Sequence, residues 1–434
     1  KSKQVKPRVE TENKKSPDSI KLNYIETHGL EKYTRSYVLG KLQLRPYTKV
    51  AYNKLTLGAN NLVATNNFDS FFYELKEEPN NSYRLITKVT ETKKTTFLKF
   101  GLHYDDLYKS AILANITKKQ FLLKNDVASL DLIFGDHVRY NFQYFIDKGI
   151  YWSIGVNSRY NEFDQGIVSS AFLSQDQISS SGINKLNTEV SDFTNQLFFQ
   201  TLFRNDLIFT LGSEYKKLKV KTETIISQDS PEDTVFENSS YVSVFGNLKF
   251  DSYDSKYFPT SGMYFNGQAN YYFYSSDFSN TFSPFSVMQA EIGYAFKATK
   301  NLSFNITSEG GFKINPKANR FLDFVLGGYG NNYINNFKSF YGYDYLSIAA
   351  DSYIKGAVTM DYNFAPKNHL LLAANYANVE DRLFDDGNWF TWPEYSGYAI
   401  GYSLETFLGP IEAKYTYSPD TKNGFWFFNL GYWF

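Results

Sequence analysis

Nowhere in this chain do about 18 apolar residues run together, the length a helix needs to cross a bilayer. Yet 19% of its 434 residues are Phe, Trp or Tyr. The mean hydropathy is nevertheless −0.41, so apolar and polar residues must be finely interleaved. From Thr95 onward the interleaving has period two. Val138, Tyr140, Phe142, Tyr144 and Ile146 share one face, with Arg139, Asn141 and Gln143 on the other. Met263, Phe265, Gly267, Ala269, Tyr271 and Phe273 oppose Asn266, Gln268, Asn270 and Tyr272. Tyr398, Ile400, Tyr402 and Leu404 oppose Ala399, Gly401, Ser403 and Glu405. Successive strand side chains point to opposite faces. The apolar sets fit lipid and the polar sets a wet lumen. In lipid only helices and closed barrels satisfy every backbone polar group, so the expected fold is an all-β transmembrane barrel. A soluble sandwich or propeller would turn one face of each sheet to water. Here nearly every strand carries Phe, Tyr or Leu on its apolar face, and nothing else in the chain can cover them.

About sixteen antiparallel segments have the length a tilted membrane strand requires. They lie at 96–106, 109–118, 125–135, 138–147, 149–163, 189–203, 206–223, 238–253, 262–274, 284–298, 302–314, 352–364, 369–380, 397–408, 410–418 and 424–434. Connections after even-numbered segments are short: 147–148, 204–205, 299–301, 366–368 and Gly409. Several after odd-numbered ones are long: 164–188, 224–237, 315–351 and 381–396. Outer-membrane barrels have short periplasmic turns and longer outside loops, so both barrel termini are expected on the periplasmic side. Lipid-facing charge should destabilise by roughly 2–4 kcal/mol at the midplane. Ile400→Lys should therefore be harmful, while Ser403→Lys, on the lumen face, should be tolerated.

Residues 1–18, KSKQVKPRVETENKKSPD, read as a charged linker. Residues 19–94 read as a compact unit of order β-α-α-β-β. Ile20, Leu22 and Tyr24 alternate and Gly29 ends their run. Tyr37, Val38 and Leu42, then Tyr52, Leu55 and Leu62, recur at helical spacing. The stretches 71–76 and 83–91 read as strands. A net charge of +0 argues against nucleic acid as a partner. The absence of cysteine removes disulfides and thiolate metal sites.

No catalytic constellation is present: no G-x-S-x-G, no P-loop, no dinucleotide fingerprint. His28, His103, His137 and His369 lack metal-ligand spacing, so neither metal nor cofactor is expected. Gly327, Gly328 and Gly330 precede no helix pattern and read as a flexible loop. Asp105-Asp106 and Asp385-Asp386 read as solvated charge. Trp389, Trp392 and Tyr271–Tyr274 read as interfacial aromatics.

Residues 251–262, DSYDSKYFPTSG, resemble the signature turn of the BamA/TamA superfamily of outer-membrane assembly and secretion pores, with Asp251, Asp254, Phe258, Pro259, Thr260 and Gly262 matching. Locally, Pro presets φ and Gly relieves the backbone. The 19–94 unit resembles a POTRA domain, the periplasmic module of that family. The alternating Phe428, Leu430, Tyr432 and Phe434 are similar to its aromatic carboxyl terminus. The resemblance covers 19–434 and implies a sixteen-stranded barrel with loop 315–351 folded into the lumen. The family's Val-Arg-Gly-Phe/Tyr loop motif aligns with Phe340, Tyr341, Gly342 and Tyr343, so Tyr341 replaces the Arg. Asn375 stands where the family has the partnering Asp, and both charges are lost together. The resemblance also implies that Phe428, Tyr432 and Phe434 are an assembly signal read by the barrel-assembly machinery.

The first functional reading is a membrane anchor and translocation pore for an upstream patatin-like lipase, since one branch of the superfamily joins that domain to a single POTRA unit and such a barrel. The chain starts at Lys1 without Met or signal peptide, which fits a segment of a longer protein. The alternatives are a single-POTRA assembly or secretion pore and a passive porin. The expected partners are outer-membrane lipid and an extended polypeptide at the POTRA-like unit; a homo-oligomer stays open.

Overall fold

The computed structural model describes residues 19–105, 109–149, 152–168, 185–204, 207–222, 234–315, 320–329, 336–385 and 387–431. The chain divides into two units, one running to Thr95 and including Lys148–Tyr151, the other holding the remainder.

The first unit contains β1 (Ser19–His28), α1 (Arg35–Leu42), β2 (Thr48–Ala51), α2 (Tyr52–Ala64), β3 (Phe68–Glu78) and β4 (Ser82–Glu91). Its sheet order is β2-β1-β4-β3, with β1 parallel to β4. Leu22, Ile25, Leu85 and Val89 from the sheet close on Val38, Leu42, Leu55 and Leu62 from the helices. The α1 helix starts where the Thr34 hydroxyl accepts the Tyr37 N–H at 3.2 Å, the usual role of a Thr N-cap. The expected order β-α-α-β-β needs one correction, the added strand β2. Its four residues, TKVA, are too few to show alternation and run straight into α2. They are held as a strand by pairing with Ser19–Leu22 of β1.

Sixteen antiparallel strands of the second unit close a barrel. In chain order they are β5 (Thr96–Asp105), β6 (Lys109–Lys119), β7 (Asp126–Gly135), β8 (Arg139–Ile146), β9 (Ser153–Val168), β10 (Lys185–Arg204), β11 (Leu207–Thr222), β12 (Thr234–Asp251), β13 (Gly262–Ser275), β14 (Phe285–Lys297) and β15 (Leu302–Ile314). Three short strands follow, β16 (Phe324–Leu326), β17 (Phe337–Lys338) and β18 (Ile348–Ala350), which form a separate small sheet. The barrel resumes with β19 (Ser352–Ala365), β20 (Asn368–Glu380), β21 (Tyr395–Thr406), β22 (Gly409–Ser418) and β23 (Asn423–Leu430). Turns such as 298–301, 366–367 and 407–408 gather at one end of the barrel, and the longer connections 276–284, 315–351 and 381–394 at the other.

The alternation sorts side chains as barrel physics requires. Met263, Tyr271, Phe273, Ile400 and Tyr402 are exposed on the outer wall, while Asn270, Tyr272 and Ser403 are buried inward. Ile400→Lys should lower the stability of the folded barrel by about 2–4 kcal/mol, read as loss of its heat-resistant electrophoretic form. The expected tolerance of Ser403→Lys is corrected. Ser403 is 0% exposed and sits between His369 and Glu412 in neighbouring strands, with no room for a lysine. Gln200→Lys, beside open lumen, is the inward change that should leave the heat-resistant form intact.

Candidate functional site

The lumen is occupied by the chain's own segment between β15 and β19. Leu322, Tyr345 and Leu346 of this insertion pack into an apolar cluster with Phe163, Leu218, Tyr241 and Phe427 of the barrel wall. Phe324, Leu326, Phe340 and Tyr343 pack with Tyr353, Ala377 and Val379 of β19 and β20. The insertion therefore spans the barrel and is held on both sides.

Ion pairs fix it further. Lys313 of β15 meets Asp323 of the insertion at 2.5 Å. Glu309 of β15 receives Lys338 of the insertion at 2.7 Å and Lys355 of β19 at 2.8 Å. Lys355 also donates to the Ser339 carbonyl at 3.1 Å. Tyr329 donates its hydroxyl to Glu412, and Lys414 donates to that hydroxyl at 2.7 Å while lying over the ring. These charges are buried, and buried charges persist only when paired.

The tip carries the residues singled out by sequence. The Tyr341 N–H donates to Asn375 Oδ1 at 2.7 Å, a side chain–backbone bond. The Tyr341 ring turns instead onto Tyr329, 6.0 Å between centroids. The Asn375 Nδ2 is buried and makes no hydrogen bond. Gly342 has φ +82°, and a Cβ there would crowd Ser418 and Tyr417 of β22. Gly397 of β21 leaves the space that the Tyr341 carbonyl fills. Phe340 is fully buried, and the Tyr343 hydroxyl donates to Asp420 at 2.9 Å. The four residues are thus brought against β20, β21 and β22.

The turn between β12 and β13, residues 252–261, sits at the opposite end. The Asp254 carboxylate accepts the Thr260 N–H at 2.8 Å, the Thr260 hydroxyl at 2.5 Å and the Ser261 N–H at 3.1 Å. Pro259 lies inside that closed loop. Gly262 has φ +115°, with the Ser252 carbonyl where a Cβ would stand. Asp251 accepts the Tyr253 N–H at 3.2 Å. Phe258 is buried and stacks on the His369 ring at 4.1 Å between centroids. That ring lies between Asp361 at 2.8 Å and Glu405 at 3.0 Å. The Tyr253 hydroxyl donates to Asn305 of β15 at 2.9 Å. The turn thereby reaches from its own strands to β15 and β20 across the short-turn end.

Burial alone would raise the Asp254 carboxyl, but the hydroxyl and N–H of Thr260 and the N–H of Ser261 outweigh it and hold it at about 2, below the ordinary 3.8. A depressed carboxyl stabilises above its unfolded value and loses that contribution as pH falls through the folded value. Pepsin cleavage beside Phe258 should therefore accelerate as pH drops from about 4 towards 2. Asp254→Asn should be cleaved rapidly already at the upper end, and equal rates for both proteins would refute the role of this carboxylate.

The barrel closes where its first and last strands, β5 and β23, meet. The β5–β23 ladder has one register pair among the described residues, Leu430 opposite Tyr104, whereas the other neighbours are laddered along most of their lengths. Phe428 is exposed on the outer wall and stacks on Trp426. Tyr432 and Phe434 lie outside the described residues, as do 1–18, 316–319 and 330–335.

Sequence reasoning missed the anchors Glu309, Lys313, Lys355, Glu412 and Lys414. The available signal was a charge at an inward strand position. A cavity of about 560 Å³ remains on the far wall, lined by Gln143, Arg159, Gln196, Gln268, Phe198 and Phe245 among others. Among the described residues no group of acidic or His side chains could hold a metal ion.

A sixteen-stranded barrel, apolar outside and threaded by its own inserted loop, is a transmembrane β-barrel of the plugged kind. The family model described as the OMP85 superfamily matches residues 83–434, and the chain belongs to that superfamily, which places it in a bacterial outer membrane. Among solved structures it is similar to BamA from Haemophilus ducreyi lacking POTRA domains 1–3, with a TM-score of 0.63 and 13% identity over 95% of this chain and 84% of that one. It is also similar to CdiB from Acinetobacter baumannii, with a TM-score of 0.56 and 14% identity over 95% of this chain and 73% of that one. No match is found among curated proteins.

Proposed function

We propose that this barrel delivers polypeptide into or across the outer membrane, and that delivery passes through the seam between β5 and β23. The short seam ladder, one register pair among the described residues, carries the reading. Unpaired N–H and C=O groups along an edge are a template for an incoming strand, and among the described residues β5 is laddered to β23 only at Tyr104. The first unit is read as a POTRA-like domain on the periplasmic side. Its edge strand β3 has no ladder partner on one side among the described residues and would receive an extended segment by strand addition. The short-turn end is the periplasmic end and the long-loop end faces outward, the arrangement usual for such barrels. Phe428, Tyr432 and Phe434 are read as the signal by which the barrel-assembly machinery recognises this chain.

The α/β unit adjoining the barrel in sequence supports a second reading, the anchor and pore of an upstream patatin-like lipase. The two separate by experiment. Removing the protein should lower particular outer-membrane or secreted polypeptides without changing their synthesis, measured by quantitative proteomics of outer membranes and medium. An unchanged proteome with altered phospholipid turnover would favour the lipase anchor instead. Under either reading the isolated 434-residue chain should hydrolyse no lipid ester.

A further inference from the structure

The β11 strand reverses its polarity part-way along. From Leu207 its outward positions run Leu207, Phe209, Leu211, Ser213 and Tyr215, then Lys217, Lys219 and Lys221. Beyond that point the inward residues are apolar: Leu218 and Val220 are 5% and 4% exposed. Ten residues of tilted strand rise about 25 Å, the height of the apolar band of such barrels. Lys217 therefore stands where acyl chains end and headgroups begin, at the long-loop end.

Around it the outer wall is concave. A cavity of about 490 Å³ is lined by Tyr140, Tyr160, Ser191, Phe193, Lys217 and Lys219. Tyr140 and Tyr160 are paired across β8 and β9 and stacked at 6.5 Å. Phe193 lies opposite both Tyr160 and Lys217, and Ser191 opposite Lys219. The carboxylates nearby are engaged. Glu162 accepts the Tyr160 hydroxyl at 2.6 Å and faces His137 at 3.8 Å, Asp164 faces His137 at 3.5 Å, and Glu189 pairs with Lys221 at 2.9 Å. Lys217 and Lys219 have no carboxylate partner among the described residues.

We propose that Lys217 and Lys219 bind the phosphate monoester of a lipid headgroup in the outer leaflet, with the Tyr140–Tyr160 stack and Phe193 against the sugar and the first acyl carbons. Two ammonium groups about 7 Å apart along one strand edge suit a dianionic monoester shared between them. The aromatic floor and its position at the edge of the apolar band make the ligand amphipathic, hence a phosphorylated glycolipid rather than free phosphate. The leaflet assignment rests on the long-loop end facing outward; the binding chemistry does not.

Native mass spectrometry of the full chain in detergent tests this without reference to orientation. The wild type should retain bisphosphorylated lipid A in preference to phosphatidylglycerol, which has only a phosphodiester. Lys217→Gln with Lys219→Gln should bind it roughly 30-fold more weakly, with the heat-resistant mobility unchanged. Lys221→Gln, whose lysine is already paired, should bind as the wild type does. Equal retention by the double variant would overturn the site. Equal retention of phosphatidylglycerol would overturn the monoester assignment, and displacement by equimolar inorganic phosphate would reduce it to a free-anion site. Orientation is checked separately by surface labelling of a cysteine placed in loop 381–394, a clean probe because the chain has no cysteine of its own.

Discussion

Replacing residues 327–347 by Asn-Gly should turn a nearly silent barrel into one with a large, steady conductance in planar bilayers. Leu326 and Ile348 face each other across β16 and β18, so a two-residue turn of the kind Asn-Gly forms closes the hairpin without strain. The deletion removes Lys338, Phe340, Tyr343, Tyr345 and Leu346, which grip both sides of the lumen, and leaves Leu322, Phe324 and Leu326 against the wall. The lumen beside the cavity lined by Gln143, Gln196 and Gln268 then opens to the long-loop end, and barrels with an open lumen conduct. A milder form of the same test is Glu309→Ala. It leaves Lys338 and Lys355 facing each other without their shared carboxylate, and breaking a buried ion pair from one side costs about 3–5 kcal/mol. Flickering openings are expected from that variant, with trypsin gaining access to Lys338. Steady conductance in the wild type would mean the insertion does not close the lumen and would favour a passive porin.

The barrel was legible because lipid imposes a strict rule on every strand. Where both faces are constrained, one by acyl chains and one by water, period two persists and the strand limits follow closely, as at 302–314 and 352–365. Legibility fails where the constraint lapses. The β9 strand runs on to Val168 and β10 begins at Lys185. Beyond the apolar band, outward residues such as Glu162 and Asp164 meet water, so the alternation that marks a strand disappears. The three short strands of the insertion are two or three residues long and are set by contacts with the wall. The β2 strand was missed for the same reason. The contacts of the inserted loop were not legible. Phe340–Tyr343 and Asn375 could be named from resemblance, but their contact is a hydrogen bond to backbone, which no side-chain pattern encodes. The charges that hold the loop come from distant strands, and only the register of the closed barrel brings Glu309, Lys338 and Lys355 together. Ser403 illustrates the opposite error: its face was read correctly, but an inward face can be packed as tightly as a core.

If polypeptide passes at the seam, a disulfide across it should stop delivery. Tyr104→Cys with Leu430→Cys places two thiols at a register pair joining β5 to β23, in a chain that otherwise has no cysteine to compete. Facing positions on antiparallel strands bring Cβ atoms within about 4.5–5.5 Å, close to what a disulfide spans with slight adjustment. The barrel should still fold and reach the outer membrane, since the bond ties strands that are already neighbours. Under oxidising conditions, cells relying on this variant should lose the polypeptides that depend on the protein, as completely as cells lacking it. Added reductant should restore them, and either single-cysteine variant should behave as wild type. Normal delivery with the seam fully cross-linked would contradict the account and require a route through the lumen or no translocation at all.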